Sequence, residues 1–518
     1  MAPSQPVLTS TLTPNSYSAS RSSDPPGHVS LFEQNSHDHR YGHTSSLRGP
    51  RPSEDVYAQL TSEISQVFNT QASGETGRVS GSLDAIDIDL NPRSRILGVR
   101  KCSMPPAQGG LFLLQEYLVD FNTAVPLFDA ATISGLFLDC YNGRADGRMV
   151  SWLVVKIVLA IAHRIRAMSP LGVPQDTENV QTYLEEVIAE LPALILMEPS
   201  LLIAQLYVGI AVILSTSSRP QPTSTLVSMA LRVLQNIRTN DPDGDHSAMP
   251  TDLQHRERVF WIAYGMETEI SLRTKISPCL PSNLISLHLP SEDDPEGAGS
   301  LRAAEGDFTI NIFRLRAELG LFQARLVECV LAPGPHERAS PALQEMAASL
   351  SKWRGHFLFR LEATELRNML HRSDLVHIII LESIYFMTAY LVQFYNFSGL
   401  GLRYNLLSAN GLSAAMALRD GVLPDSDARR FVQFLKLLAD DEILCHWLSV
   451  EAVASAVVVT LMHIMHNPGN TDAQADLDII RPVLHILYRL IEFRKDEDFS
   501  QLRYICADLY LRVDSMAR

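Results

Sequence analysis

Charge is scarce in this 518-residue chain: Asp, Glu, Lys and Arg together make up only 19%, against 46% hydrophobic residues. That fraction lies below the usual quarter, so much of the chain reads as interior. Positive charge is scarcer still, with 43 Lys and Arg against 58 Asp and Glu and a formal net charge of −15. This argues against holding nucleic acid through a broad basic surface, because such binding draws on Lys and Arg displacing counterions from phosphates. The six cysteines (Cys102, Cys140, Cys279, Cys329, Cys445, Cys506) stand far apart, so there is no C-x-x-C metal or redox motif. Scattered single thiols fit a reducing compartment.

The N-terminal "MAPSQPVLTSTLTPNS" lacks a basic start and an apolar h-region, so no secretory signal is expected. The apolar stretches "WLVVKIVLAIAHRI", "LLIAQLYVGIAVIL" and "AVASAVVVTLMHIM" each fall short of the roughly 20 residues that span a bilayer. They read as buried helices of a soluble protein, with no membrane partner. Phosphate loops, dinucleotide fingerprints, serine-nucleophile elbows and zinc-protease motifs are missing too. No catalysis, and no cofactor, is expected.

Residues 1–100 are rich in Ser, Pro, Thr, Gly and His and contain no lysine. Such composition buries too little apolar surface to offset chain entropy, so a mostly disordered tail is expected, with one helix around "SEDVYAQLTSEISQVFN". From Pro105 onward, apolar residues recur three and four apart in segment after segment, such as "STLVSMALRVLQNI" and "INIFRLRAELGLFQARLVECVL". Breaks such as "SSRPQPTS", "NDPDGDHSAMP" and "PSEDDPEGAGS" separate them. Alternating strand patterns are almost absent. The fold class is all-α: one large multi-helix domain over 101–518 behind the tail.

The densest stretch is "HRERVFWIAYGMETEIS", His255 to Ser271. Thr251 and Gln254 have capping-box spacing, and Val259, Ile262, Ala263, Met266 and Ile270 share one helical face with Phe260 beside it. Glu267 and Glu269 are two apart and point to different sides, so they do not form an acid/base pair. Glu269 is set to pair with Arg273, Pro278 stops the helix, and both glutamates read as surface and boundary charges. His37, His39 and His43 sit in the tail with no second ligand cluster. His463 and His466 fit favourable imidazoles at a helix C-terminus. Asp241, Asp243 and Asp245 lack the glycine and glutamate of a calcium loop. No metal site is expected.

"RERVFWIAYGMETEISL" followed by "PCLPSNLISLHLP" resembles the middle homology region, the regulatory domain of fungal-specific transcription factors. Arg256, Arg258, Val259, Phe260, Trp261, Tyr264, Glu267, Ser271, Leu272, Pro278, Leu289 and Pro290 match its signature in order. "LLQEYLVDFNTAVPLFD", "SLLIAQLYVGIAVIL", "LVSMALRVLQNI", "LSKWRGHF" and "IMHNPGNTDAQADLDIIRPVLHIL" are similar to flanking segments of the family, so the likeness covers about Pro105 to Phe493. Lys275 to Ser277 replace the family's Gly-Arg-Pro, and Arg238 to Asn240 replace its Gly-Leu-His. The zinc binuclear cluster that usually accompanies the domain needs six closely spaced cysteines, and residues 1–101 contain none.

The resemblance implies a transcriptional regulator in the nucleus. It would act through protein partners, with indirect DNA targeting (or an upstream exon that carries the zinc cluster), and a small-molecule effector is an open option. A nutrient or secondary-metabolite pathway is the implied target. The alternative is a helical sensor or scaffold with no direct transcriptional role. "NPRSRILGVRK" is the one basic cluster at the junction and reads as a solvated linker rather than a nuclear localisation motif.

Overall fold

The computed structural model describes residues 88, 104–145, 148–217, 221–239, 250–274, 276–303 (except 286, 293 and 295), 309–331, 340–355, 361–398, 425–438, 442–467, 473–493 and 497–517. The expected disordered tail (Ile88 apart), its helix and histidines, the 91–101 cluster and the Asp241–Asp245 turn lie outside the described residues. Seventeen α-helices are described, in accord with the all-α reading.

The chain enters through α1 (Ala107–Glu116), which continues into a π-helical turn, Tyr117–Asn122. Next come α2 (Ala130–Tyr141), α3 (Met149–Ala167), α4 (Pro174–Ala189) and α5 (Leu191–Ile195). They are followed by α6 (Leu201–Ser215), α7 (Gln221–Thr239) and α8 (Pro250–Thr274). Local chemistry sets the starts. The Asp129 carboxylate caps α2 by accepting from the Thr132 amide, Ser200 caps α6, and Pro250 occupies the first position of α8.

A short antiparallel pair, β1 (Ser300–Arg302) and β2 (Thr309–Asn311), then leads into α9 (Ile312–Leu331). Strands of three residues are too short to show alternation, which is why the sequence did not signal them. The remainder is α10 (Ser340–Trp353), α11 (Ala363–Met369), α12 (Arg372–Ser398), α13 (Asp425–Leu435), α14 (Ile443–Leu448), α15 (Val450–His466), α16 (Ala473–Phe493) and α17 (Glu497–Ala517).

Two apolar clusters form the interior. The first collects residues of α1 to α8, with α3 against α4 and α6, and α6 against α7. The second collects residues of α10 to α17. Helix α9 belongs to both. Phe313, Ala317 and Ala324 sit in the first cluster, while Ile312, Leu315, Leu319 and Leu326 sit in the second. Spacings of three, four and seven put each set on its own face of one helix.

The three apolar stretches flagged in the sequence lie in α3, α6 and α15, whose residues are mostly buried. Helix α12 is long and apolar enough by length and composition to cross a bilayer, yet 83% of its apolar window is buried inside the protein. Glu382 in its middle is 2% exposed and ion-paired with Arg430 at 3.1 Å and Arg354 at 3.7 Å. Burial outweighs both arginines and lifts the Glu382 carboxyl above its ordinary value. These internal partners make α12 a core helix.

Candidate functional site: a charged cavity between the two clusters

Where the clusters meet, the protein forms a partly open cavity of about 360 Å³, within the range of roughly 300–1,000 Å³ usual for small-molecule sites. Phe121, Ile161, Ile213, Trp261 and Phe313 contribute apolar wall from the first cluster, and Ala124, Val376 and Ile384 from the second. Set into that wall are five arginines (Arg164, Arg166, Arg273, Arg316, Arg372) and four carboxylates (Glu116, Asp120, Glu269, Glu442), with His377.

Each charge is held by a neighbouring element. Arg164, 2% exposed near the end of α3, donates through Nε to Thr216 Oγ1 at 2.8 Å and through a terminal nitrogen to the Thr216 carbonyl at 2.7 Å. Desolvation lowers its pKa to about 9. Arg166 reaches Glu116 Oε1 at 2.7 Å, while Glu116 Oε2 is buried and has no hydrogen-bond partner. At the π-helical turn, the Asp120 carbonyl accepts from His377 Nε2 of α12 at 2.7 Å, which fixes the proton on that nitrogen. Burial, ahead of the opposing hydrogen bond, pushes His377 below the ordinary imidazole value. Turns of this kind frequently occur at functional sites.

Elsewhere in the lining, Glu269 of α8 binds Arg273 at 2.6 Å and Arg316 of α9 at 3.3 Å. Arg273 also lies 3.8 Å from Glu451 of α15. Burial raises the Glu269 carboxyl, but Arg273 and then Arg316 outweigh it and hold it below its usual range. Arg372 pairs with Glu442, and the Leu444 amide donates to the Met168 carbonyl at 3.1 Å, tying the α14 segment to the end of α3. The wall thus sets charges of both signs into an apolar lining, the makeup of a site for a small organic molecule that carries polar groups.

Of the signature residues, Trp261 lines this cavity, and the others pack behind it or beside it. Val259 and Tyr264 are fully buried, and Phe260 stacks on Tyr264 at 5.7 Å. Trp261 donates from Nε1 to the His288 carbonyl at 2.9 Å and lines the cavity. Arg258 binds Asp294 and Glu296, each at 2.8 Å, whereas Arg256 is only half-buried. The Pro290 carbonyl accepts from Arg314, and half-buried Pro278 follows the end of α8. Trp353, in the later Leu-x-x-Trp, donates to Glu318 of α9 at 2.8 Å and stacks on Tyr385 of α12.

Three readings need correction. Glu267 is a buried clamp rather than a boundary charge: it is 5% exposed and accepts from the Cys279 amide at 3.0 Å and from Ser228 of α7 at 3.2 Å. Glu269 faces the cavity, not bulk solvent. Both follow from the packing of α8 against α6, α7 and α9, which leaves the middle of this helix no solvent face. Gln254 does not reach back as a capping box would; its amide donates to Asp294 at 2.9 Å. The two glutamates do diverge, as their spacing required. His463 faces Asp425 at 3.5 Å and His466 bonds the Met462 carbonyl, so these imidazoles have local partners.

The sequence reading missed Arg164, Arg316, Arg372, His377 and Glu442. A signal existed, since His377 and Arg164 interrupt otherwise apolar helical faces, but nothing in spacing says that α3, α9, α12 and α14 converge.

Comparison with known proteins agrees with the placement of the signature. Residues 114–355 match the fungal specific transcription factor domain. An ABC-transporter-regulating transcription factor of Aspergillus oryzae is 24% identical over 415 residues, covering 78% of this chain and 46% of the relative. Its Aspergillus fumigatus counterpart is 23% identical with the same coverage. The Fusaridione A cluster transcription factor fsdR of Fusarium heterosporum is 24% identical over 414 residues, covering 79% of this chain and 78% of the relative. The chain therefore spans about half the length of the two Aspergillus relatives. No solved structure matches it.

Proposed function

We propose that this chain, whose residues 114–355 match the fungal specific transcription factor domain, regulates transcription in the nucleus in response to a small-molecule effector bound in the central cavity. The observation that carries this reading is that Trp261, Glu269 and Arg273, in and just beyond the family's signature, wall a cavity of ligand size. A ligand there touches α3, α8, α9 and α12 at once, so it can favour one arrangement of the two clusters over another. The net negative charge fits DNA targeting through a protein partner or another DNA-binding module. Transporter genes or a secondary-metabolite cluster are the targets that the relatives' names support. No catalytic role is proposed.

Chromatin immunoprecipitation of the tagged chain, paired with transcript profiling of a deletion strain, tests the regulatory reading. A bound set of promoters whose transcripts change supports it. A chain that stays off chromatin and whose loss alters no transcript refutes it and favours a sensor or scaffold without a transcriptional role. For the effector, Ala317→Leu pushes bulk into the cavity from α9, where Ala317 is 2% exposed. Promoter occupancy should persist while the inducible part of the response falls at least several-fold; an unchanged response removes the cavity from the mechanism.

A further inference from the structure

Away from the cavity, Asp129, His255 and Glu296 converge at the start of α8. Asp129 caps α2, His255 lies in the second turn of α8, and Glu296 belongs to the loop before β1. One donor atom from each lies within 4.8 Å of the others. His255 Nε2 stands 3.9 Å from Asp129 Oδ1 and 3.8 Å from Glu296 Oε2. These separations are too long for hydrogen bonds. They are near the spacing of atoms that share one ion, since two ligands about 2.1 Å from tetrahedral zinc stand about 3.4 Å apart. For these two pairs a shift of about half an ångström closes the difference.

Two further observations point to a cation. His255 Nε2 is buried and has no hydrogen-bond partner, and an orphaned buried nitrogen needs an explanation. Each carboxylate is also held in position from behind. The Thr132 amide and hydroxyl both bond Asp129 Oδ2 at 2.7 Å, which leaves Oδ1 toward the imidazole. Arg258 donates to both Asp294 and Glu296, and Asp294 also accepts from Gln254 and from the Glu296 amide. Outer partners of this kind orient metal-binding carboxylates, and Glu296 Oε2 has lone pairs for both the guanidinium and an ion. Three carboxylates against one guanidinium leave negative charge for a dication to neutralise.

We propose that Asp129, His255 and Glu296 bind a single zinc-class divalent cation, with water completing a tetrahedral shell. One imidazole and two carboxylates make a donor set that zinc accepts. The ion pins the start of α2, the entry of α8 and the loop before β1 to one another. The sequence reading expected no metal because the three ligands come from distant segments, and His255 there looked like one of several basic groups.

The test uses the full chain, dialysed against chelator and titrated with Zn²⁺ by calorimetry and with Co²⁺ by visible absorption. One equivalent should bind and raise the melting temperature. His255→Gln and Glu296→Gln should each weaken that equivalent at least ten-fold and remove the visible cobalt bands. Glu296 is partly exposed on a loop, so its variant keeps the fold and decides the question should the histidine variant fail to fold. A His37→Gln/His39→Gln/His43→Gln variant should retain the equivalent. The proposal is overturned if no zinc binds at micromolar concentration, or if binding survives both site variants and disappears with the tail histidines.

Discussion

Glu269→Gln removes the one carboxylate that two cavity arginines share. Its oxygens lie 2.6 Å from Arg273 and 3.3 Å from Arg316. At about 4 Å and an effective dielectric near 20, a charge pair is worth about 4 kcal/mol. These side chains retain between 25% and 34% of their exposure, however, so screening reduces each pair to about 1 kcal/mol. Glu451, 3.8 Å from Arg273, partly compensates, and the expected loss is about 1.5 kcal/mol at neutral pH. The pH dependence fixes the cause. Glu269 has a depressed carboxyl pKa in the folded protein. Its contribution is therefore fully present above the unfolded-state value of about 4.3 and is lost as pH falls through the folded value. The deficit of the variant should be constant from pH 7 to about pH 5 and shrink below about pH 4.3. Urea unfolding followed by tryptophan fluorescence measures both. A deficit under about 0.5 kcal/mol at pH 7, or one that grows on acidification, would refute the assignment of Glu269 as the shared partner.

Three other outcomes are expected. Trp261→Phe deletes the Nε1 donor to the His288 carbonyl and should cost about 1–2 kcal/mol in thermal unfolding. Gly299→Ala places a side chain at φ +76°, with its Cβ 2.3 Å from Phe313 Cβ. The left-handed backbone alone costs about 1–2 kcal/mol, and displacement of Phe313 should alter the cavity wall, read as a changed affinity for any ligand that occupies it. Leu319→Ala, at a fully buried position on the second-cluster face of α9, should lower stability by about 2–5 kcal/mol.

Helix identity was legible because it is written locally, in apolar residues three and four apart and in proline and glycine breaks. Val259, Ile262 and Ala263 could be called core from that pattern. Glu267 could not, because spacing states which residues share a face and is silent on what packs against it. Its partners, Ser228 and the Cys279 amide, arrive from α7 and from the chain beyond α8. The cavity was hidden for the same reason. Arg164 looks like the charged end of an apolar helix until Thr216 is brought beside it, and His377 looks like an interruption until the π-helical turn presents the Asp120 carbonyl. The Asp129, His255 and Glu296 group is the extreme case, for its members share no element.

The two-faced helix α9 has a practical consequence for dissecting this protein. A fragment ending near Gly355 keeps every segment of the first cluster and α10, but it removes α12 and the helices after it from the second-cluster face of α9 that carries Leu315, Leu319 and Leu326. Part of that apolar face would then be exposed to water, an invitation to aggregate. The stretch that defines kinship is thus shorter than the stretch that can stand alone, and expression boundaries belong after α17.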